Sequence, residues 1–168
     1  MIKKIKKIIR KKDKSKIVCL TAYSKNIAKI LDNYVDIILV GDSMANVLYG
    51  HKNTHKIDLK NIIQHTLSVK MGIKKSLLVV DLPKGTYRNE KSAEKNAKYL
   101  IKKTKCDAIK LESNKNNYEI IKFLNKKKIP VMGHIGYTPQ FKKKFKIEGQ
   151  SKKETRKLLK EALSIQRA

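Results

Sequence analysis

The chain has 168 residues, and its 41 Lys and Arg residues against 14 Asp and Glu residues give a formal net charge of +27. The hydrophobic content of 40% excludes a disordered chain, and the length fits one folded domain. Aromatic residues make up 6% and Trp is absent, whereas nucleic-acid readers rely on arginine forks or stacked aromatics. Because only four basic residues are arginines, we expect a lysine-rich solvated surface and no specific nucleic-acid partner.

Apolar runs and helical periodicity divide the chain into alternating strands and helices. Residues 1–15 are strongly basic and predict a helix or arm that lies on the rest of the chain or on a partner subunit. Apolar runs predict strands over 17–23, 35–40, 76–80, 107–111 and 129–132. Helical spacing predicts helices over 24–31, 58–71, 91–104, 118–125 and 152–166, with Ser24 and Asp58 as N-caps.

Cysteine content and hydropathy set the expected environment of the protein. Cys19 and Cys106 lie in or beside apolar runs and form no CxxC pair. We therefore expect two buried, reduced thiols in a cytoplasmic protein. No apolar run approaches the ~20 residues of a membrane span, so we expect no membrane partner.

The order of the elements predicts five βα units and a parallel sheet. A doubly wound sheet usually carries a glycine-rich turn after its first strand, but Thr21-Ala22-Tyr23-Ser24 contains no glycine. The pattern therefore favours a (β/α)8 barrel, which needs ~250 residues. We expect residues 16–168 to form only the first five strands of such a barrel. Its two open edges predict a chain that is unstable or inactive alone.

Polar residues follow four of the predicted strands, where the active sites of parallel barrels lie. These residues are Asp42 and Ser43, then Asp81, then Lys110 and Glu112, and finally His134. Two aspartates at neighbouring strand ends supply the oxygen ligands that Mg²⁺ prefers. The alternatives are a helix cap for Asp42, a turn for Asp81, an ordinary ion pair for Lys110 and Glu112, and a packing role for His134. His51, His55 and His65 show no metal-ligand spacing.

Several strings, in this order, resemble the ketopantoate hydroxymethyltransferase family. They are Thr21-Ala22-Tyr23, Leu39-Val40-Gly41-Asp42-Ser43, His65-Thr66, Asp81-Leu82-Pro83, Lys110-Leu111-Glu112 and the string GHIGYTPQ over residues 133–140. The last string is long and specific, and the resemblance extends from about Lys16 to the end of the chain. Two positions depart from the family pattern, since Ser24 replaces an expected Asp and Lys84 replaces an expected aromatic residue.

The resemblance implies a magnesium-dependent (β/α)8 barrel of the phosphoenolpyruvate/pyruvate superfamily. Such enzymes transfer a hydroxymethyl group from 5,10-methylenetetrahydrofolate to 3-methyl-2-oxobutanoate, giving 2-dehydropantoate for pantothenate and coenzyme A synthesis. By residue match, Asp42 and Asp81 would bind Mg²⁺, and Glu112 would support the ion directly or through water. The substrate would contact Asp42, Ser43, Asp81, Lys110 and His134. The family also implies a homo-oligomer, often a decamer.

Three functions remain open at this stage. The first is the hydroxymethyltransferase, for which the family's proton-accepting glutamate has no match in this chain and is expected beyond Ala168. The second is another magnesium-dependent 2-oxo-acid lyase or mutase of the same superfamily. The third is a basic nucleic-acid-binding protein, suggested by the net charge of +27.

Overall fold

Five parallel strands form the centre of the computed structural model, which describes residues 2–113, 117–142 and 144–168. The strands are β1 (Cys19–Thr21), β2 (Ile37–Val40), β3 (Leu77–Asp81), β4 (Ala108–Glu112) and β5 (Val131–His134). They pair in chain order, each parallel to the next. A doubly wound sheet reverses its strand order at a switch point, whereas a barrel does not. The observed order is therefore that of consecutive strands of a (β/α)8 barrel.

Helices precede, connect and follow the strands. They are α1 (Ile2–Ile9), α2 (Lys25–Leu31), α3 (Met44–Val47), α4 (Leu59–Lys70), α5 (Glu90–Thr104), α6 (Tyr118–Lys126) and α7 (Lys152–Arg167), with a 3₁₀ turn at Thr54–Lys56. Helices α2 and α4 to α7 pack side by side in one layer, whereas α1 lies apart from it. The five helices predicted after the N-terminal segment are present. Helix α3 and the 3₁₀ turn were not predicted, because elements this short show no periodicity.

The predicted N-caps have different outcomes. Asp58 accepts a hydrogen bond from the Asn61 backbone N–H at the start of α4, within a reciprocal capping box. Ser24 precedes α2, but its side chain makes no capping hydrogen bond. The predicted N-cap position of Ser24 is therefore confirmed but a side-chain cap is not, and the Lys25 N–H donates to the Ser68 hydroxyl of α4.

The two faces of the sheet bury different sets of side chains, as period-2 alternation requires. Towards the helices the strands present the large residues of the main core, namely Ile38, Val40, Leu78, Val80, Ile109 and Leu111. The opposite face carries a second apolar cluster, which consists of Ile37, Leu77, Val79 and Ala108. Lys110 and Glu112 follow Ala108 at two-residue steps and therefore lie on that second face.

Helix α1 covers the second apolar cluster near the N-terminal ends of the strands. Ile5 and Ile8 pack against this cluster. Lys4 Nζ donates to the carbonyl oxygen of Ser76, the residue that precedes β3. Lys11 Nζ lies 2.6 Å from Asp36 Oδ1, just before β2. The basic N-terminal helix thus lies on the sheet itself, while the division into an arm (1–15) and a barrel (16–168) stays a prediction.

Strand β1 is an edge strand with all three residues exposed. In the described part of the chain it pairs with β2 alone, so Cys19 is exposed while Cys106 is buried. The prediction of two buried thiols is wrong for Cys19, since its strand is not covered on the far side. Among the described residues, no helix is long and apolar enough for a membrane span.

Asp32 ties the end of α2 to the entrance of β3. Its carboxylate accepts backbone hydrogen bonds from Lys74 (2.8 Å), Lys75 (3.0 Å) and Ser76 (2.8 Å). Burial alone would raise the pKa of Asp32, but these donors outweigh it and lower the pKa below its ordinary value. The ionised form of Asp32 therefore stabilises the fold.

Replacing Ile8 by Ala tests the role of α1. We expect a loss of about 1 to 2 kcal/mol in the free energy of unfolding, because the side chain is half-buried against the sheet. Urea titration followed by circular dichroism measures it. Ile9→Ala is the matched control, since Ile9 is 63% exposed on the same helix and should change little. Equal effects of the two substitutions would contradict the packing of α1 on the sheet.

Replacing Asp32 by Asn tests the anchor. The NH₂ group of Asn would lie against backbone N–H donors and could not accept their hydrogen bonds. We therefore expect the free energy of unfolding to fall by about 2 kcal/mol at neutral pH. Because the folded pKa is lowered, the stabilisation is present above the ordinary pKa of about 4 and disappears as pH falls through the folded value. The difference in stability between the two proteins should therefore shrink at low pH, and urea midpoints at several pH values measure it. Asp13→Asn, at an exposed turn position, is the control, and a pH-independent difference would refute the assignment.

Candidate active site

The C-terminal ends of β2 to β5 bring the predicted site residues to one edge of the sheet. Across β3 and β4, Asp81 lies opposite Lys110. Across β4 and β5, Glu112 lies opposite His134. Asp42 follows β2 and joins this group through a backbone contact with Asp81. The structure therefore gathers side chains that the sequence places on four separate strands.

Asp42 and Asp81 are buried neighbours. The Asp42 backbone N–H donates to Asp81 Oδ2 at 3.1 Å, and the residues are 5% and 4% exposed. Gly41 permits this approach, because a Cβ there would lie 2.9 Å from Ser43 Oγ and 3.3 Å from Asp81 Oδ2. Burial, and then the nearby Asp81 charge, raise the pKa of Asp42 to about 6. The two carboxyl groups therefore share one buried region at the ends of β2 and β3.

Lys110 partly offsets that negative charge. Its Nζ atom lies 2.7 Å from Asp81 Oδ1, and the two side chains are 14% and 6% exposed. Burial raises the pKa of Asp81, and the Lys110 ammonium group opposes this rise. The pair is therefore a largely buried ion pair, in which loss of one partner would leave the other charge without compensation.

Glu112 and His134 lie beside this pair, but they are not ion-paired. Burial raises the pKa of Glu112 to about 8, against the effect of the hydrogen bond from the Gln140 N–H. Burial, with Lys110 nearby, lowers the pKa of His134 to about 4, so the imidazole is neutral at pH 7. The distance of 3.9 Å between His134 Nδ1 and Glu112 Oε1 is also too long for a hydrogen bond. Buried His134 Nδ1 has no hydrogen-bond partner in the described part of the chain.

Ser43 is held from the first strand. Its hydroxyl lies 2.8 Å from the hydroxyl of Tyr23, a residue that follows β1 in the chain. The His65 ring contacts the Tyr23 carbonyl through Nδ1 and the Tyr49 hydroxyl through Nε2, both at 2.8 Å. These two contacts give His65 a structural role beside Ser43. The role of Tyr23 was not predicted, although the residue lies within a string that carried the family resemblance.

Gln140 and Tyr87 were also missed. Gln140 contacts both Asp42 and Glu112, and the Tyr87 hydroxyl donates to the Gln140 side chain. Gln140 ends the string GHIGYTPQ, so a signal for it was present. Tyr87 had no such signal.

The fit of a metal ion depends on the two aspartates. Among the described residues, no group of three His, Cys, Asp or Glu side chains is arranged to hold a metal, so Asp42, Asp81 and Glu112 do not form a three-ligand set. Asp42 and Asp81 alone still fit a hard divalent cation, because Mg²⁺ commonly binds one or two carboxylates and completes its shell with water and substrate. Burial is the largest cause of the raised pKa of both aspartates, and the charge of Lys110 opposes that rise.

A cleft lies beside the acidic group and includes Ser43 in its wall. It has a volume of about 520 Å³, within the range of small-molecule sites, and its walls include Asn46, Thr54 and Tyr137. His55 also lines it and lies 3.1 Å from Lys84 Nζ through its Nε2 atom. Lys84, which departs from the family pattern, therefore contacts the rim of this cleft.

Solved structures of low sequence identity share this fold. A 2,3-dimethylmalate lyase of the PEP mutase/isocitrate lyase superfamily matches with a TM-score of 0.56 at 10% identity, covering 77% of this chain and 52% of that one. An oxaloacetate acetylhydrolase matches with a TM-score of 0.53 at 8% identity, covering 70% and 47%. At such identities the likeness concerns the fold alone.

Sequence relatives are much closer. The chain is 53% identical over 168 residues to the 3-methyl-2-oxobutanoate hydroxymethyltransferase of Pelagibacter ubique (strain HTCC1062), covering 100% of this chain and 65% of that protein. It is 42% identical over 167 residues to the enzyme of that name from Campylobacter concisus (strain 13826), covering 98% and 62%. The chain thus spans less than two thirds of these relatives. The family model for ketopantoate hydroxymethyltransferase matches residues 2–168, and the chain belongs to this family.

Proposed function

We propose that this chain provides the 2-oxo-acid site of a hydroxymethyltransferase that converts 3-methyl-2-oxobutanoate to 2-dehydropantoate, with 5,10-methylenetetrahydrofolate as one-carbon donor. The observation that carries the proposal is the buried group of Asp42, Asp81 and Lys110 at neighbouring strand ends of a family member. Assembly into a homo-oligomer and a cytoplasmic location belong to the same proposal, and the family resemblance supports both.

Asp42 and Asp81 would hold Mg²⁺, with Glu112 supporting the ion through water. A bound Mg²⁺ would act as a Lewis acid on the 2-oxo group and lower the cost of losing the neighbouring proton. Lys110 provides a fixed positive charge beside Asp81, where negative charge would develop in the substrate. The Ser43 hydroxyl, held by Tyr23, can donate to the substrate carboxylate.

His134 contributes as a neutral group. Because its pKa is lowered to about 4, the imidazole adds no charge at pH 7. A neutral imidazole has one donor and one acceptor nitrogen, so it can donate a hydrogen bond to the substrate or accept one from it. The proposal assigns no residue of this chain as the proton acceptor, so its direct test is substrate binding.

The two alternative functions have weaker support. The lyase and hydrolase structures match at 10% and 8% identity, which concerns the fold and not the reaction. The relatives at 53% and 42% identity carry a transferase name. In the described part of the chain, no contact favours nucleic-acid binding over the proposed transferase function.

Binding of 3-methyl-2-oxobutanoate tests the proposal. We expect calorimetry on the 168-residue chain to detect binding that requires Mg²⁺. Asp42→Asn and Asp81→Asn should each weaken it by more than about 100-fold, since even outer-shell changes at metal sites cost 10- to 100-fold. Glu119→Gln is the control, because that side chain is 79% exposed on α6. Unchanged binding in both aspartate variants would eliminate the proposed site.

A double-mutant comparison tests the Lys110–Asp81 pair. Lys110→Met should lower the free energy of unfolding by about 3 to 5 kcal/mol, because it leaves the buried Asp81 carboxylate without its cation. Adding Asp81→Asn should restore most of this loss, since the remaining partner is then uncharged. Urea titration measures both. Lys98→Met, which breaks an exposed pair with Glu94, should leave stability nearly unchanged. An additive double mutant would show that the pair is not coupled.

A further inference from the structure

Gln140 connects three strand ends from the loop after β5. It is 2% exposed, and its side-chain Nε2 donates to Asp42 Oδ2 at 2.8 Å and to the Leu82 carbonyl oxygen at 3.1 Å. Its backbone N–H donates to Glu112 Oε2 at 2.9 Å. One residue thus contacts the chain just after β2, just after β3 and at the end of β4.

The Tyr87 hydroxyl fixes the orientation of this amide. It donates to Gln140 Oε1 at 2.5 Å, on the side opposite the two acceptors of Nε2. Rotating the amide by 180° would place its oxygen against the Asp42 carboxylate and the Leu82 carbonyl, where only repulsion results. Both Nε2 hydrogens and the Oε1 atom are therefore used, and the side chain has a single favourable orientation.

The contacts of Gln140 take one oxygen from each of two acids. Asp42 gives Oδ2 and Glu112 gives Oε2, so Asp42 Oδ1 and Glu112 Oε1 carry no hydrogen bond from Gln140. The donors are uncharged. A lysine in this place would satisfy the same oxygens, but its charge would repel a cation. The side-chain amide orients Asp42 without adding a charge to the site, while Glu112 is held by the backbone N–H of the same residue.

We propose that Gln140, fixed by Tyr87, is a positioning residue for a divalent cation at the acidic site. Its side chain sets which oxygen of Asp42 is available to the ion or to its water shell. The inference rests on the proposed function for the ion itself, but the positioning role is a separate property of this chain and can fail on its own.

Gln140→Met tests the proposal, because methionine keeps the length of the side chain and removes its donors and acceptor. On the 168-residue chain, we expect Mn²⁺ affinity, measured from the free-ion EPR signal, to weaken about tenfold. Tyr87→Phe should weaken it in the same direction by less, since the amide loses one of its partners. Both variants retain the backbone N–H bond to Glu112.

Two controls separate positioning from general stability. Gln64→Met makes the same substitution at an exposed position of α4 and should leave Mn²⁺ affinity unchanged. Ile62→Val removes a methylene from the core of α4, so it lowers stability and should also leave Mn²⁺ affinity unchanged. An unchanged affinity in Gln140→Met, or an equal loss in Ile62→Val, would overturn the positioning role.

Amide hydrogen exchange provides a readout that needs no metal. The Asp42 N–H donates to Asp81, and we expect its exchange in Gln140→Met to be faster than in the unsubstituted chain. Exchange at the interior amides of α5 should be the same in both proteins. A uniform change, or none, would overturn the inference. If the unsubstituted chain takes up no Mn²⁺, the magnesium part of the proposed function fails together with the cation-positioning role, and the exchange measurement then shows only whether Gln140 orders the contact between Asp42 and Asp81.

Discussion

The buried contact between Lys110 and Asp81 brings the one cation of the candidate site, as far as the structure describes the chain, against its acids. The ammonium group lies 2.7 Å from Asp81 and opposes the rise in pKa that burial causes at Asp42, Asp81 and Glu112. It also contributes to the lowered pKa of His134. A single cation thus acts on three acids and one imidazole, because the parallel register places Asp81 and Lys110 side by side on the same face. Removing this charge would leave the acids buried without compensation.

One lysine does not balance three acids, and the rest of the structure shows how the excess is tolerated. The pKa of Asp42 is raised to about 6 and that of Glu112 to about 8, so part of the charge is relieved by proton uptake. Uncharged donors hold the remaining oxygens, namely the Asp42 N–H and the two N–H groups of Gln140. A pocket that stays negative while its oxygens are oriented is the setting in which a divalent cation binds favourably. This is the physical basis of the proposed function.

Much of the fold could be predicted because its signals are local. Strands β2 and β3 are apolar runs and β4 begins with one, and the polar residues after these runs identified Asp42, Asp81, Lys110 and Glu112. The errors have physical causes of another kind. Cys19 is exposed because β1 has a neighbour on one side in the described structure, which its own apolar run does not reveal. Gln140 was missed because its partner Asp42 is 98 positions away in the chain.

The sequence by itself determined the order of strands and helices, and the faces on which their side chains lie, because both follow from periodicities of a few residues. Lys110 and Glu112 are two positions apart on a strand, and this spacing alone puts them on one face. Only the tertiary structure decided which carboxylate oxygen each donor takes, that His134 is neutral, and that Gln140 joins the strand ends. These properties depend on burial and on contacts between residues far apart in the chain, and no local pattern encodes either.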